Sequence, residues 1–192
     1  MHSRNAMHST RAYLVALVAV AALLAACGPA APSQHEAVTS ADGIAAGDPI
    51  PEPGSKPVLT IKGAITESNS ANGVELDVET LAEMPSTDAD VYEPFIKEDV
   101  TFTGVMLDDL LEIVGMESGA GSVFMQALDD YSMELSITDV SEAGAMVAIE
   151  EDGKPIKIRH GGPARIVFLT DGKISANTDM WIWSVNRMKV LP

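Results

Sequence analysis

Only one cysteine, Cys27, occurs among the 192 residues of this chain. A chain with a single thiol cannot close an internal disulfide, and it has no second cysteine for a structural zinc site. The folded part must therefore be stabilised by a packed hydrophobic core, for which a chain of this length is sufficient. The composition is consistent with such a core, because hydrophobic residues make up 46% of the sequence.

The residues before Cys27 have the pattern of an export signal. Arg4 and Arg11 precede an apolar stretch, 13–24, that is too short to span a bilayer as a mature helix. The run Leu24-Ala25-Ala26-Cys27 has the pattern of a lipobox. We therefore expect residues 1–26 to be a lipoprotein signal peptide that is removed, with an uncleaved signal anchor as the alternative.

Cleavage at this point would leave Cys27 as an acylated N-terminus. It would carry diacylglycerol and an amide-linked acyl chain such as palmitate, and two or more chains anchor a protein stably without spanning the membrane. Gly28, rather than an acidic residue, follows the cysteine. We expect a periplasm-facing lipoprotein, held at the outer membrane if the cell has one.

The charge balance excludes a nucleic-acid partner. Without residues 1–26 the chain has 10 basic and 28 acidic residues, a net charge of −18. Such a surface repels nucleic acid and anionic lipid head groups. We attribute this charge to a need for solubility or to a salty habitat, in preference to an acidic patch that docks a partner.

Proline marks the boundary between a tether and a domain. Six of the eleven prolines lie in 28–57, mixed with Ala, Gly, Ser and Asp. That composition contains no repeating hydrophobic pattern. We therefore expect 27–56 to be the acylated cysteine and a flexible tether with an end-to-end distance of about 30 Å. The remaining residues, 57–192, have the length of one domain.

The hydrophobic period within 57–192 changes repeatedly between two and about 3.6 residues, which predicts mixed α and β structure. Asp77 is suited to cap a short helix, and Leu107, Leu110, Leu111 and Val114 share one helical face. The predicted elements are strands at 59–62, 123–128, 133–137, 146–149, 165–169 and 181–190, a helix from Asp77 to Leu81 and a helix from near Asp108 to Gly115.

The residues best suited to bind a ligand lie in the run 160–165, His-Gly-Gly-Pro-Ala-Arg. Gly161 and Gly162 allow the backbone to approach a ligand closely, and Arg165 begins a strand with a guanidinium group able to point back toward the turn. The alternative is a turn with a solvated histidine and an arginine at a strand edge.

The order of these segments resembles the molybdopterin-binding domain of the sulfite oxidase and methionine sulfoxide reductase superfamily. The resemblance is carried by the segment 76–81 before Pro85, the run Phe102-Thr103-Gly104-Val105-Met106-Leu107 with Leu110-Leu111, the turn 128–131, the hairpin 152–156 and the motif 160–165. It implies an α+β, sulfite oxidase molybdopterin-binding-like fold with mixed β-sheets and short helices across 57–192.

Two departures from the family concern its cofactor. The family's enzymes hold molybdenum through a cysteine shortly before Thr103, where this chain has 87–101 and no thiolate. Basic contacts to the cofactor phosphate lie near the last strand of the family, where this chain has Asp179 and no basic residue before Arg187. We therefore do not expect a molybdenum centre or a metal-binding residue.

A pocket for the pterin ring alone is compatible with these departures. Trp181 and Trp183, two apart in a predicted strand, would point to one face and flank a flat ring, and packing in the core is the alternative for each. Positions 160 and 165 are implied by the resemblance to contact the cofactor. The expected pterin site comprises His160, Gly161, Gly162, Arg165, Trp181 and Trp183, with Tyr131 and Arg159 as further candidates and the two glycines contributing backbone amides.

This cysteine-less pattern resembles periplasmic pterin-binding regulators that act with receptors carrying cyclic di-GMP synthesis and degradation domains. The resemblance implies a tetrahydropterin-like ligand and, as partner, the periplasmic sensory domain of a membrane receptor. Two other hypotheses stay open: an enzyme, either metal-independent or a molybdopterin-dependent oxidoreductase with non-cysteine ligation, and a ligand-free protein-binding scaffold. No catalytic residue is predicted, since His160 is the only histidine in 57–192.

Overall fold

The computed structural model describes residues 43–192 and the two-residue strand Ala37–Val38. The predicted signal peptide, Cys27 and the first part of the predicted tether lie outside the described residues. None of the helices in the described part of the chain is long and apolar enough to cross a bilayer.

Short helices alternate irregularly with strands along the chain. In chain order the elements are β1 (Ala37–Val38), β2 (Leu59–Gly63), β3 (Val74–Leu76), α1 (Val78–Ala82), β4 (Ser86–Glu93), β5 (Glu98–Met106), α2 (Leu107–Ile113), β6 (Ser122–Ala127), β7 (Ser132–Ser136), α3 (Ile137–Ala143), β8 (Ala145–Glu151), β9 (Lys154–Pro155), β10 (Arg165–Phe168) and β11 (Val185–Leu191). Two single 3₁₀ turns, Ile158–His160 and Thr178–Met180, lie in the loops before β10 and β11.

The strands form two sheets. The first has the order β1-β4-β5-β8-β10 with β9 paired to β8, and all its pairs are antiparallel. The second has the order β3-β2-β11-β6-β7, in which β2 and β11 run parallel and the other pairs antiparallel. The predicted α+β fold with mixed sheets and short helices is confirmed.

The core lies between the sheets and the helices. α1 and α3 each contact strands of both sheets, while α2 packs on β5 and β8. The predicted apolar face of the second helix is confirmed, because Leu107, Leu110, Leu111 and Val114 are all fully buried. β8 is buried along Ala145–Ile149, as expected for a strand covered on both faces.

The segment assigned to the tether partly packs on the domain. Ile44 and Ile50 contact the core, the Ile44 amide donates to the Glu83 carbonyl, and the Ser55 amide donates to the Asp77 carboxylate. Proline-rich composition removes regular periodicity, but it does not prevent isolated apolar side chains from packing. Residues 43–56 therefore lie against the domain, inside the stretch that composition assigned to a flexible tether.

The predicted strand 181–190 is wrong in its first four residues. β11 begins only at Val185, because a 3₁₀ turn precedes Trp181 and Ser184 adopts a left-handed backbone with φ of 50°. The other predicted strands are confirmed, with ends displaced by at most two residues. The prediction lacks the helix α3 and the strands β1, β3, β4, β5 and β9, of which β4 and β5 form a long hairpin.

The capping of α1 by Asp77 is confirmed. Its Oδ1 accepts from the amide and the hydroxyl of Thr80 at 2.9 and 2.6 Å, and its Oδ2 accepts from the Ser55 amide at 2.8 Å. Burial alone would raise the pKa of Asp77, but these hydrogen bonds from Thr80 and Ser55 outweigh burial and lower the pKa from 3.8 to about 2.

We expect Asp77→Ala to lower the free energy of unfolding by about 1–2 kcal/mol at pH 7, as for other lost N-caps. Because the folded-state pKa is depressed, this stabilisation is present above the unfolded pKa of about 4 and is lost as pH falls toward 2. Urea titrations of both proteins at pH 7, 4 and 2.5 measure the difference. Asp99→Ala, at an exposed strand position, is the matched control, and a difference that does not shrink at low pH would contradict the assignment.

Candidate functional site

A buried ion pair lies at the centre of the candidate site. Arg165 opens β10 and Glu93 closes β4, and each is 2% exposed. Arg165 Nη2 donates to Glu93 Oε1 at 2.8 Å, and Arg165 Nη1 donates to the His160 carbonyl at 3.1 Å. Glu93 Oε2 accepts from the amides of Phe95 and Ile96, both at 2.8 Å. The carboxylate is thus fully engaged in holding Arg165 and the 94–97 turn.

The guanidinium group of Arg165 lies against two aromatic rings. Its Cζ is 5.3 Å from the ring centroid of Phe102 and 4.9 Å from that of Trp183. Burial lowers the pKa of Arg165 from its ordinary value, while Glu93 and Glu151 oppose the shift. Its Nε has no hydrogen-bond partner among the described residues. A buried N–H group without a hydrogen-bond partner destabilises the folded state. An acceptor that reached this Nε would remove that cost, so the position favours binding of an acceptor.

His160 and Arg159 extend this cluster to the surface. They belong to the 3₁₀ turn Ile158–His160, where His160 Nδ1 contacts Glu151 Oε1 and Arg159 Nε donates to His160 Nε2 at 3.1 Å. The cluster surrounds a small cavity of about 120 Å³. Its lining residues are Glu93, Ile96, Val100, Phe102, Glu151, Arg159, His160, Arg165 and Trp183.

The two glycines of the 160–165 run have a packing role. Gly161 has φ of 85°, and a Cβ there would lie 2.7 Å from Cγ of Trp183. A Cβ on Gly162 would lie far inside the van der Waals contact distance of the Ile156 carbonyl oxygen. Both amides already donate to backbone carbonyls, those of Ile158 and Lys157, at 3.0 Å. The expectation that these amides face a ligand is therefore not met in this structure, and the glycines instead let Trp183 and Ile156 approach the turn.

A larger cavity of about 450 Å³ lies on the other side of Trp183, and four of its lining residues are aromatic. Trp183 packs edge to face on Phe95 at 5.2 Å, and Trp181 packs in the same way on Phe168 at 5.8 Å. The residues lining this aromatic cavity are Phe95, Ala127, Asp129, Tyr131, Thr178, Asp179, Trp181 and Trp183.

Hydrogen bonds fix two walls of the aromatic cavity. The Tyr131 hydroxyl donates to the Asp179 carbonyl at 2.5 Å, which ties the 128–131 turn to the 3₁₀ turn before β11. Trp181 Nε1 donates to the Ser175 carbonyl at 2.9 Å. Trp181 is only 5% exposed and also belongs to the core, whereas Trp183 is 36% exposed.

Of the eight residues expected at a pterin site, six line two neighbouring cavities, while Gly161 and Gly162 line neither. Tyr131 and Trp181 line the aromatic cavity, while Arg159, His160 and Arg165 line the small one. Trp183 lines both. The expectation that the two tryptophans share one strand face is wrong, since neither lies in a strand, yet both reach the same cavity.

Sequence reasoning missed Glu93, Phe95, Asp129 and Glu151. A signal for Glu93 was available, because β4 alternates between exposed acidic or aromatic residues and the buried side chains at positions 87, 89, 91 and 93. That alternation places a carboxylate on the buried face, where it requires a cationic partner. No comparable signal marks Asp129, which is one of many surface acids in this chain.

The site does not fit a thiolate-bound molybdenum centre. None of residues 43–192 is a cysteine. In 87–101, where the family has its cysteine, the side chain that reaches Arg165 is the carboxylate of Glu93. Both of its oxygens already accept hydrogen bonds, from Arg165 and from two backbone amides. No group of three or more His, Cys, Asp or Glu side chains in the described part of the chain is placed to hold a metal ion. The aromatic cavity also lacks a basic residue for a phosphate.

We expect Glu93→Gln to lower the free energy of unfolding by about 3 kcal/mol, because it leaves Arg165 charged and buried without its ion-pair partner. Urea denaturation of the variant and the parent protein measures the change. Glu98→Gln removes the same charge at an exposed position in β5 and should change stability by less than about 0.5 kcal/mol. Equal effects of the two substitutions would show that the ion pair does not stabilise the fold.

Comparison with known proteins identifies the family. Residues 83–189 match the family described as "Oxidoreductase molybdopterin binding domain". A search of curated proteins gives no match. Among solved structures, the sulfane dehydrogenase SoxCD from Paracoccus pantotrophus superposes with a TM-score of 0.54 at 18% sequence identity, over 69% of this chain and 37% of that chain. At this identity the likeness shows the fold alone, and the chain spans little more than a third of the SoxCD chain. With the family match covering more than half of its residues, the chain belongs to the oxidoreductase molybdopterin-binding domain family.

Proposed function

We propose that this protein binds a pterin without a molybdenum centre, in the aromatic cavity beside Trp183, and that the bound pterin modulates a membrane receptor. The observation that carries the proposal is the chemistry of that cavity. It combines four aromatic side chains with the two carboxylates of Asp129 and Asp179, and it contains no basic residue. Membership in a family named for molybdopterin, a pterin-type cofactor, supports the same ligand class.

The size and the aromatic lining of the cavity suit a flat heterocycle. Ligand pockets occupy about 300–1,000 Å³ and are mostly apolar with a few placed polar groups. The aromatic cavity falls in this range at about 450 Å³. Aromatic rings that stack on a ligand or meet its edge contribute about 0.5–1.5 kcal/mol each beyond the area that they bury. Trp183 is the best placed of the four, because it is partly exposed and lines both cavities.

The charge of the cavity favours a ligand that lacks a phosphate group. A pterin presents an amino group and a ring N–H side by side on its pyrimidine edge, and a carboxylate accepts from both. Asp179 supplies one such carboxylate, and Asp129 supplies another whose Oδ1 also accepts from the Tyr131 amide at 3.1 Å. Both would repel a phosphate. A tetrahydropterin therefore fits the cavity better than the phosphorylated molybdopterin does.

The surface around the cavity suits a protein partner. Five large apolar side chains are exposed at or beside the cavities: Phe95, Ile96, Leu128, Tyr131 and Trp183, with exposed fractions between 36% and 57%. Exposed apolar groups gathered in one place are typical of interaction sites. A ligand in the aromatic cavity would contact several of them and would change the surface offered to a receptor. Lipid anchoring at Cys27, which is proposed from the sequence, would place this surface beside a membrane partner.

The first experiment identifies the natural ligand. The protein is purified from a pterin-producing host and denatured, the released small molecules are analysed by fluorescence and mass, and molybdenum is measured on the same sample. We expect a pterin without molybdenum. Stoichiometric molybdenum would instead support the oxidoreductase hypothesis. No released pterin, together with no calorimetric binding of added tetrahydrobiopterin, would contradict the proposal and favour a scaffold.

We expect Trp183→Ala to weaken pterin binding at least about tenfold, since it removes a stacking wall from the cavity. Asp129→Asn tests the carboxylate contact and should also weaken binding. Tyr92→Ala is the matched control, because Tyr92 is an exposed aromatic residue that does not line the cavity. Calorimetric titration measures affinity, and circular dichroism checks that each variant is folded. Unchanged affinity in Trp183→Ala would place the ligand elsewhere.

A further inference from the structure

A second concave surface lies on the outer face of the second sheet, and none of its lining residues lines the aromatic cavity. It encloses about 710 Å³. Its lining residues are Thr60, Lys62, Ala71, Asn72, Glu75, Phe124, Gln126, Arg187, Met188 and Lys189. We refer to this surface as the basic groove, because three of its lining residues are cationic in a chain with 28 acidic and 12 basic residues.

The sheet register brings the three cations together. Lys189 in β11 pairs with Lys62 in β2, and it pairs with Phe124 of β6 on its other side. Arg187 lies two residues before Lys189 on the same face. Since neighbouring strands are about 4.8 Å apart and alternate residues about 6.7 Å apart, the three cationic residues occupy adjacent positions on one face of the sheet, beside an aromatic residue.

The cations of the groove repel one another and are not neutralised within the described structure. Neither Lys62, Arg187 nor Lys189 forms a salt bridge with any described residue. Glu75, the only acid of the groove, accepts from Asn72 Nδ2 at 2.9 Å at the edge of the sheet. Like charges on adjacent strands destabilise a sheet by a few tenths of a kcal/mol or more. An anion bound between them would remove this repulsion.

We propose that the basic groove binds a small phosphorylated molecule with a flat apolar part. Two lysines and an arginine provide donors and charge for one phosphate group, and Phe124 provides a surface for the flat part. The strongly negative net charge disfavours an extended polyanion such as nucleic acid. A compact anion is repelled less, because salt screens charges beyond the Debye length of about 8 Å at physiological ionic strength. The distant acids are therefore screened, whereas the three cations would contact the bound anion.

The basic groove and the aromatic cavity therefore recognise opposite charges. The aromatic cavity has two carboxylates and no base, whereas the groove has three bases and one acid. The groove proposal does not depend on the pterin proposal, and each has its own variants. Arg187 is left unchanged in the tests, because its Nη1 donates to Gln126, which in turn donates to Asp130 beside the aromatic cavity.

The test compares thermal stability with and without a phosphate probe. We expect phenyl phosphate at 10 mM to raise the Tm of the whole protein by about 2 °C or more over sodium chloride of equal ionic strength. Inorganic phosphate should give a smaller rise. Equal rises would show that the flat part is not recognised, and no rise with phenyl phosphate would overturn the proposal.

Substitutions assign the binding to the groove. Lys62→Gln and Lys189→Gln should each abolish the rise in Tm with phenyl phosphate, and each should raise the Tm of the ligand-free protein because mutual repulsion is lower. Lys154→Gln is the matched control, since Lys154 is an exposed lysine outside the groove. It should keep the full response. If Lys154→Gln lost the response equally, the effect would reflect net charge and the proposal would be wrong.

Two further measurements separate this site from the pterin site. Phe124→Leu should make the responses to phenyl phosphate and inorganic phosphate equal, since it removes the ring. Lys62→Gln should retain the pterin affinity of the parent protein. A loss of pterin affinity in Lys62→Gln would show that the groove belongs to the pterin site and would overturn its assignment as a separate site.

Discussion

The ion pair between Glu93 and Arg165 is the interaction on which the candidate site depends. It joins the end of β4 to the start of β10, two strands that are not neighbours in the first sheet. Removing two charges from water is costly, and the cost is offset only when the remaining hydrogen-bonding groups are satisfied. The amides of Phe95 and Ile96 satisfy Glu93, so the carboxylate is held rigidly and holds Arg165 in turn. The guanidinium group then supports the ring of Trp183, which lines both cavities.

Charge is distributed unevenly over the described surface, and this distribution is more informative than the net charge. The net charge of −16 disfavours a polyanionic partner, but it does not locate a site. The aromatic cavity contains carboxylates and no base, while three cations gather on the open face of the second sheet. The two surfaces differ in charge, and neither has the mixture of thiolate and basic residues expected for a molybdenum cofactor with its phosphate.

Prediction from the sequence succeeded where a signal was local. The Asp77 cap, the apolar face of α2 and the positions of β2, β6, β7, β8 and β10 follow from side-chain periodicity and capping chemistry, which depend on residues within one or two turns. It failed at 181–184, where an apolar run precedes β11 but Ser184 takes a left-handed backbone before the strand begins. It also missed Glu93, because the importance of that carboxylate depends on Arg165, which lies 72 positions further along the chain.

The sequence by itself determined the fold class, the family-like order of segments and the absence of a second thiol, because each of these follows directly from residue types and their spacing. It also identified Arg165, His160 and the tryptophans as the residues of interest. Only the tertiary structure decided that these residues divide between two cavities, that the glycine amides are already hydrogen-bonded and that Lys62, Arg187 and Lys189 meet on one face. The physical reason is that cavities and charge clusters arise from strand register and long-range pairing, which bring distant positions together without leaving a local pattern in the chain.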